Sequence, residues 1–299
     1  MTLAHWITMA AAFGLVFAGS ASGQKQSSAW PETAPPKLVV LVYQKFPLDK
    51  MAASGKALAA AARACANLDV PNSWIVMESV TAEPEFLSLD PFDSFAHIDK
   101  AFAAWGPIYA GHPELAKAQA QIMGSLVSQR TIVAARREDL SYRANRIDLS
   151  KARFMRALEV RLHPGRENDF AEAFQKLSAA YEKTDSDLYW VVYQVNVGMP
   201  SPAFFAFVPM KNLAQNDDLL NLRDRLREVE GDAAERMQRI AREAYASTES
   251  NLYAISPEKS HVSKEFAAGD PQFWTPKPQA PEMKSSPPKT TKSKPKHQP

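Results

Sequence analysis

Apolar residues along this chain fall into short strand-length runs separated by helical stretches, and the whole series occurs twice. Leu38-Val-Val-Leu-Val-Tyr43 is a continuous apolar run of strand length. Residues 52–65 are rich in alanine and predict a slim helix that can pack closely on a sheet. Residues 73–80 predict a second strand and 86–89 a third, ended by Pro91. Residues 93–104 predict a short helix, broken by Trp105-Gly106-Pro107. Leu115, Ala118, Ile122 and Leu126 then recur at helical spacing, and 131–135 predicts a fourth strand.

The second series follows the same order. Residues 156–162 alternate apolar and polar, as a half-buried strand does. His163-Pro164-Gly165 predicts a turn into a helix whose Phe170, Phe174, Leu177 and Tyr181 form one apolar stripe. Residues 189–197 and 203–208 predict two more strands. A long helix carries Leu219, Leu222, Leu226, Val229, Ala233, Met237 and Ile240 on one side, interrupted at Gly231, and 251–255 predicts the last strand. Pro84 matches Pro202, Phe86 matches Phe204, Leu89 matches Phe207, Pro91 matches Pro209 and Phe95 matches Leu213, all at one offset of 118 residues. A Trp-led apolar run, at Trp74 and at Trp190, precedes each copy.

Each series reads strand–helix–strand–strand–helix–strand, the ferredoxin-like βαββαβ unit with helices on one face of an antiparallel sheet. The other face needs a cover, and a second copy supplies it. The expected fold is therefore α+β: two tandem ferredoxin-like repeats, at 37–142 and 154–262, whose sheets pack into an α+β barrel within one chain, joined by a connection at 143–153. A closed tandem barrel has little need of a partner copy, so a monomer is expected.

The flanks differ in composition. Residues 10–18 are nearly all apolar, too few to span a bilayer, and Ala21-Ser22-Gly23 fits a signal-peptidase site before Gln24. Residues 1–23 thus read as a signal peptide, placing the protein in the periplasm or outside the cell; an N-terminal membrane anchor is the alternative, since no Lys or Arg precedes the apolar run. Residues 24–36 read as a linker. Residues 263–299 are rich in Pro, Lys and Ser, poor in aliphatic residues, and expected to be disordered. The basic part of this tail suggests weak contact with an anionic cell envelope.

Leu158-Glu-Val-Arg-Leu-His-Pro-Gly165-Arg-Glu-Asn-Asp-Phe170 resembles the opening of dimeric α+β barrel proteins, particularly the NIPSNAP and antibiotic-biosynthesis-monooxygenase-like groups. Those open with an alternating strand, a Pro-Gly turn, then an acidic residue and Phe on the first helix. The first copy departs from this pattern, with Phe46-Pro47-Leu48 where Pro-Gly should stand. The superfamily includes cofactor-free oxygenases, haem enzymes, isomerases and members without known activity, so the resemblance implies a fold and leaves the activity open.

Composition narrows the chemistry. A formal charge of +2 argues against nucleic-acid binding by the folded part. Cys65 is the lone cysteine, which excludes an internal disulfide and reads as a small buried hydrophobe. His97, His112 and His261 are scattered, so no metal site is expected. No cofactor is expected either; the haem reading implied by the resemblance would need an axial histidine, and only His112 stands near a suitable helix.

Strand alternation nominates a lining for a pocket between the sheets. With Leu158, Val160 and Leu162 facing the helices, Glu159, Arg161 and His163 should face inward. Trp190, Gln194 and Asn196 share one face of their strand, and Trp74 and Glu78 hold the equivalent places. In this reading Glu78 or His163 is the acid/base group. Trp74, Glu159, Arg161, Trp190, Gln194 and Asn196 would bind the ligand. The competing reading is a packed polar interface. The functional expectation is a small-ligand-binding barrel. The alternatives are a cofactor-free monooxygenase- or isomerase-like enzyme, and an envelope interaction protein working through its basic tail.

Overall fold

The computed structural model describes residues 35–184, 187–221 and 233–275. Eight antiparallel strands close one barrel in the order β1-β3-β2-β8-β5-β7-β6-β4. The first repeat supplies β1 (Leu38–Lys45), β2 (Trp74–Ser79), β3 (Glu85–Phe92) and β4 (Ser128–Tyr142). It also supplies helices α1 (Met51–Cys65), α2 (Phe95–Gly111) and α3 (Pro113–Ser125). The second supplies β5 (Phe154–Leu162), β6 (Trp190–Val197), β7 (Ala203–Met210) and β8 (Tyr245–His261). Its helices among the described residues are α4 (Glu167–Glu182), α5 (Asp217–Leu220) and α6 (Ala233–Ala244). Each repeat has the ferredoxin-like strand order, so the predicted duplication and intrachain barrel are what the chain forms.

Two strands run much longer than the apolar pattern suggests. The first half of β4 pairs with β1 and its second half with β6 of the other repeat. The first half of β8 pairs with β5 and its second half with β2. Each crossing carries the same bulge. Ser141 Oγ accepts from the Val192 amide at 2.9 Å and Trp190 Nε1 donates to the Leu140 carbonyl at 3.0 Å. In the other copy Ser260 Oγ accepts from the Val76 amide at 2.9 Å and Trp74 Nε1 donates to the Lys259 carbonyl at 3.1 Å. Leu140 and Lys259 are therefore equivalent positions.

The barrel interior is a buried hydrophobic core that includes Leu41, Met77, Leu87, Tyr193, Phe205 and Tyr253. Outside the second sheet, Phe170 stacks on Phe204 at 4.4 Å between ring centres, with Phe174 at 4.5 Å. Helix α2 does not stop at Trp105-Gly106-Pro107 but runs to Gly111. Pro107 costs the Ala103 carbonyl its helical partner, and that turn is exposed, where water can serve it.

The segment after β8 departs from the expected disorder. Residues Lys264–Ala268 (α7) and Pro271–Trp274 (α8) are helical, and Phe266 and Trp274 are buried against the barrel core. Trp274 Nε1 donates to the Ser150 carbonyl at 2.7 Å, Arg153 pairs with Asp270, and the Arg153 guanidinium lies 3.8 Å over the Phe273 ring. At the end of the predicted linker, the Pro36 carbonyl accepts from Tyr193 Oη at 3.1 Å. These segments close one end of the barrel. The predicted signal peptide, most of the linker, the rest of the tail and the middle of the predicted long helix lie outside the described residues.

Candidate functional site

The opposite end of the barrel is open and polar. A cavity of about 290 Å3 sits there, between the start of β3 and β4 and the inward faces of β1, β5 and β8. Seven side chains give it character. Glu85, at the first position of β3, is buried and accepts a hydrogen bond of 2.6 Å from Tyr253 Oη. Arg130 on β4 holds Glu159 on β5 through two contacts of 3.3 and 2.8 Å. The same guanidinium lies 4.7 Å over the Tyr43 ring, and Glu249 accepts from Asn251 Nδ2 at 2.6 Å.

The electrostatics follow from burial. Loss of solvent pushes the Glu85 carboxyl above the usual carboxylate range, only partly offset by the Tyr253 hydrogen bond and Lys45. Burial likewise pushes Tyr43 and Tyr253 far up, so both stay neutral phenols that can donate. A carboxyl whose pKa burial raises, touching a phenol at a cavity wall, can accept or deliver a proton at a bound molecule.

The sequence-derived candidates divide. Glu159 lines this cavity as expected. Trp74, Glu78 and Trp190 do not face inward: Ile75 and Met77 on β2, and Val191, Tyr193 and Val195 on β6, fill the interior instead. The first four residues of each strand, Trp74-Ile-Val-Met and Trp190-Val-Val-Tyr, are apolar on both faces, so period-two reading cannot tell inside from outside there. Trp190 packs under α4, and Trp74 lies against Trp105 and His261. Gln194 accepts from Arg137 Nη1 at 2.7 Å on the outer face, and Asn196 and His163 are exposed. Arg161, on the inward side of β5 by parity, is not among the cavity-lining residues.

Sequence reasoning missed Glu85, Arg130, Tyr43 and Tyr253. A signal for Glu85 was present: at the 118-residue offset its partner is Ala203, which is fully buried. A carboxylate in one copy against a core alanine in the other marks a divergent interior position.

Histidines line neither this cavity nor the one beneath α1. His112 pairs with Glu114 at 3.5 Å at the start of α3, and the space under α4 is filled by Phe170, Phe174 and Phe204. The described residues therefore do not fit haem, and no metal-holding group of His, Cys, Asp or Glu is present among them. Cys65 is buried, and that burial pushes its thiol up to about 11, as befits a core residue.

No protein-family model matches the sequence, and no curated protein matches it. Among solved structures, an anthrone oxidase-like protein superposes with a TM-score of 0.51 at 15% identity, covering 75% of this chain and 93% of that one. A candidate monooxygenase from Lactobacillus acidophilus NCFM gives 0.47 at 7%, covering 75% and 95%. Chlorite dismutase from Candidatus Nitrospira defluvii, in complex with imidazole, gives 0.40 at 11%, covering 74% and 91%. This chain has the dimeric α+β barrel fold, closed within a single polypeptide. At these identities the likeness is one of fold.

A second polar group lies under α2 of this α+β barrel. Asp90 accepts from Ser88 Oγ at 2.5 Å and Asn72 Nδ2 at 3.5 Å, and Trp105 Nε1 donates to Asn72 Oδ1 at 2.9 Å. Burial pushes the Asp90 carboxyl up to about 7. A raised carboxyl stabilises the fold below its ordinary pKa, and that contribution is lost as pH rises through the folded value. The wild type is therefore expected to lose about 1–2 kcal/mol between pH 4 and 8 relative to Asp90→Asn, the full linkage being discounted because Asp90 keeps some exposure. Urea midpoints of both proteins across that range check it; parallel curves would remove Asp90 as the source.

Proposed function

We propose that the open end of the barrel binds a small molecule rich in hydrogen-bond donors, with Glu85 as its proton-exchanging contact. The observation that carries this reading is Glu85 itself, buried at the wall of a cavity of about 290 Å3 with its carboxyl raised and held by Tyr253. The wall offers three carboxylates, Glu85, Glu159 and Glu249, against the cations Lys45 and Arg130. Arg130 is engaged by Glu159 and Lys45 by Glu83, so the surplus is of acceptors. The tyrosine rings supply apolar wall area.

The same carboxyl supports the enzyme alternative. A desolvated Glu beside a neutral phenol is what a cofactor-free monooxygenase- or isomerase-like reaction needs to remove a proton from carbon or oxygen. Action after export remains part of the proposal, and a mature protein beginning at Gln24 would support it.

Tyramine, which carries a phenol and an ammonium, is a suitable probe by calorimetry. Binding is expected to strengthen as pH rises through the elevated Glu85 pKa, because the ionised carboxylate meets the ammonium. Glu85→Gln should weaken it at least tenfold, about 1.4 kcal/mol, and flatten the pH dependence. Equal affinity in the variant would overturn the assignment.

A further inference from the structure

The barrel is closed, yet β8 outruns its neighbour at the mouth. Its residues from Ser247 to Asn251 pair with β5, and its pairing with β2 begins only at Tyr253. Successive residues of an antiparallel strand turn their N–H and C=O groups to opposite sides. The Ile255 N–H donates to the Arg153 carbonyl at 2.8 Å, so in the same register Ser247, Glu249 and Asn251 face β5. Leu252 faces the other way: its N–H donates to Thr81 Oγ1 at 2.9 Å, and its carbonyl accepts from the Val80 N–H at 2.7 Å. Ala246, Thr248 and Ser250 share its parity and turn the same groups outward. Among the described residues nothing pairs with that side of them, and residues 246–250 are all exposed.

The first repeat does not leave its counterpart open. The spacing that matches Ser141 with Ser260 makes Val127, Gln129 and Thr131 the equivalent residues. The Val127 N–H turns back to the Lys45 carbonyl at 2.9 Å. Gly198 presses against the Thr131 carbonyl, where a Cβ would lie 2.2 Å from the oxygen. The second repeat thus keeps a longer free edge than the first.

Such an edge invites another strand, and folded proteins guard it with lysine, proline or a bulge. The run Ala246-Ser-Thr-Glu-Ser250 has none of these, and its one charge is Glu249. It is also complementary to itself. When two copies pair antiparallel about a two-fold axis at Thr248, Thr248 meets Thr248 and Ala246 meets Ser250 on either side. Every outward group is then satisfied, in about six hydrogen bonds. Glu249 falls opposite the Ser247 hydroxyl, which can donate to it. An axis at Glu249 would oppose two carboxylates, and one at Ser247 would leave Ser250 facing the end of α6. We propose that this edge of β8 binds a second copy of the chain, in place of the monomer that a closed barrel alone suggests. Glu249 and Asn251 line the barrel-mouth cavity, so the partner's Ser247 stands at its rim.

One short strand covers less than the roughly 1,200 Å2 of a standard interface, so the dimer is expected to be weak and to form at high protein concentration. The test is sedimentation equilibrium of the full chain at up to about 1 mM protein. The wild type should dimerise reversibly. Thr248→Pro removes an outward N–H and no bond to β5, so it should abolish the dimer and leave the thermal midpoint in place. Cross-linking reads the register independently of that variant. Opposed residues of a hydrogen-bonded pair stand about 5.5 Å apart, within reach of a disulfide, so Thr248→Cys should link two copies on mild oxidation. Ser250→Cys lies opposite Ala246 and should not. A wild type that stays monomeric at every concentration overturns the proposal and leaves the edge to an extended segment of a different protein. A dimer that survives Thr248→Pro overturns it as well, as does cross-linking through Ser250→Cys in place of Thr248→Cys.

Discussion

Replacing Gly198 by alanine is expected to prevent the barrel from closing. Gly198 follows β6 with φ +105°, and a Cβ there would stand 2.2 Å from the Thr131 carbonyl oxygen and 2.7 Å from Ile132 Cα. The obstacles are backbone atoms of β4, which is bonded on one side to β1 and on the other to β6. Neither strand can retreat without breaking ladder bonds at the seam between the repeats. The expected loss exceeds about 4 kcal/mol, the range reserved for severe backbone or packing damage. Gly165 provides the control. It too has positive φ, at +82°, but a Cβ there would have nothing within 4 Å. Gly165→Ala should cost only the left-handed strain, about 1–2 kcal/mol. Urea midpoints for the two variants separate strain from collision. Similar values for both would show that Gly198 does not approach β4 this closely.

The second large effect is expected at Trp274. It is buried, donates to the Ser150 carbonyl at 2.7 Å, and meets the Phe266 ring edge-on at 5.1 Å. Trp274→Ala removes a large ring from the closed end of the barrel and orphans the Ser150 carbonyl, for about 3–5 kcal/mol. Ending the chain after Val262 should cost at least as much, since Phe266 and the Arg153–Asp270 pair go as well. Chemical denaturation reads both. An unchanged midpoint in Trp274→Ala would mean that α7 and α8 lie on the barrel without being part of its core.

These two sites show where the sequence was readable and where it was not. The repeat was legible because Pro84/Pro202, Phe86/Phe204 and Pro91/Pro209 keep one spacing, and a one-sided sheet needs a cover. Inward and outward faces were legible on β5, whose polar residues alternate, and illegible on β2 and β6. Trp190-Val-Val-Tyr is apolar at every position because the interior core takes one face and α4 the other. Gln194 and Asn196 read as lining residues because they share a strand face with Trp190, and that face is the outer one. The extent of β4 and β8 was hidden by the charged residues Arg136, Arg137, Glu138 and Asp139, which belong to the bulged crossing. Composition averaged over 263–299 concealed Phe266, Phe273 and Trp274, three aromatic residues within its first twelve. The candidate site was legible only through Glu159, because its other members come from four strands that the fold alone brings together.

The crossing strands also govern how this molecule comes apart. Because β4 and β8 each lend half their length to the neighbouring repeat, neither sheet keeps both of its edges satisfied once the other has melted. A chain of two repeats would ordinarily be free to lose one and retain the other. Here the halves are laced together, and melting is expected as a single event in which heat, urea or a protease meets either the whole barrel or none of it.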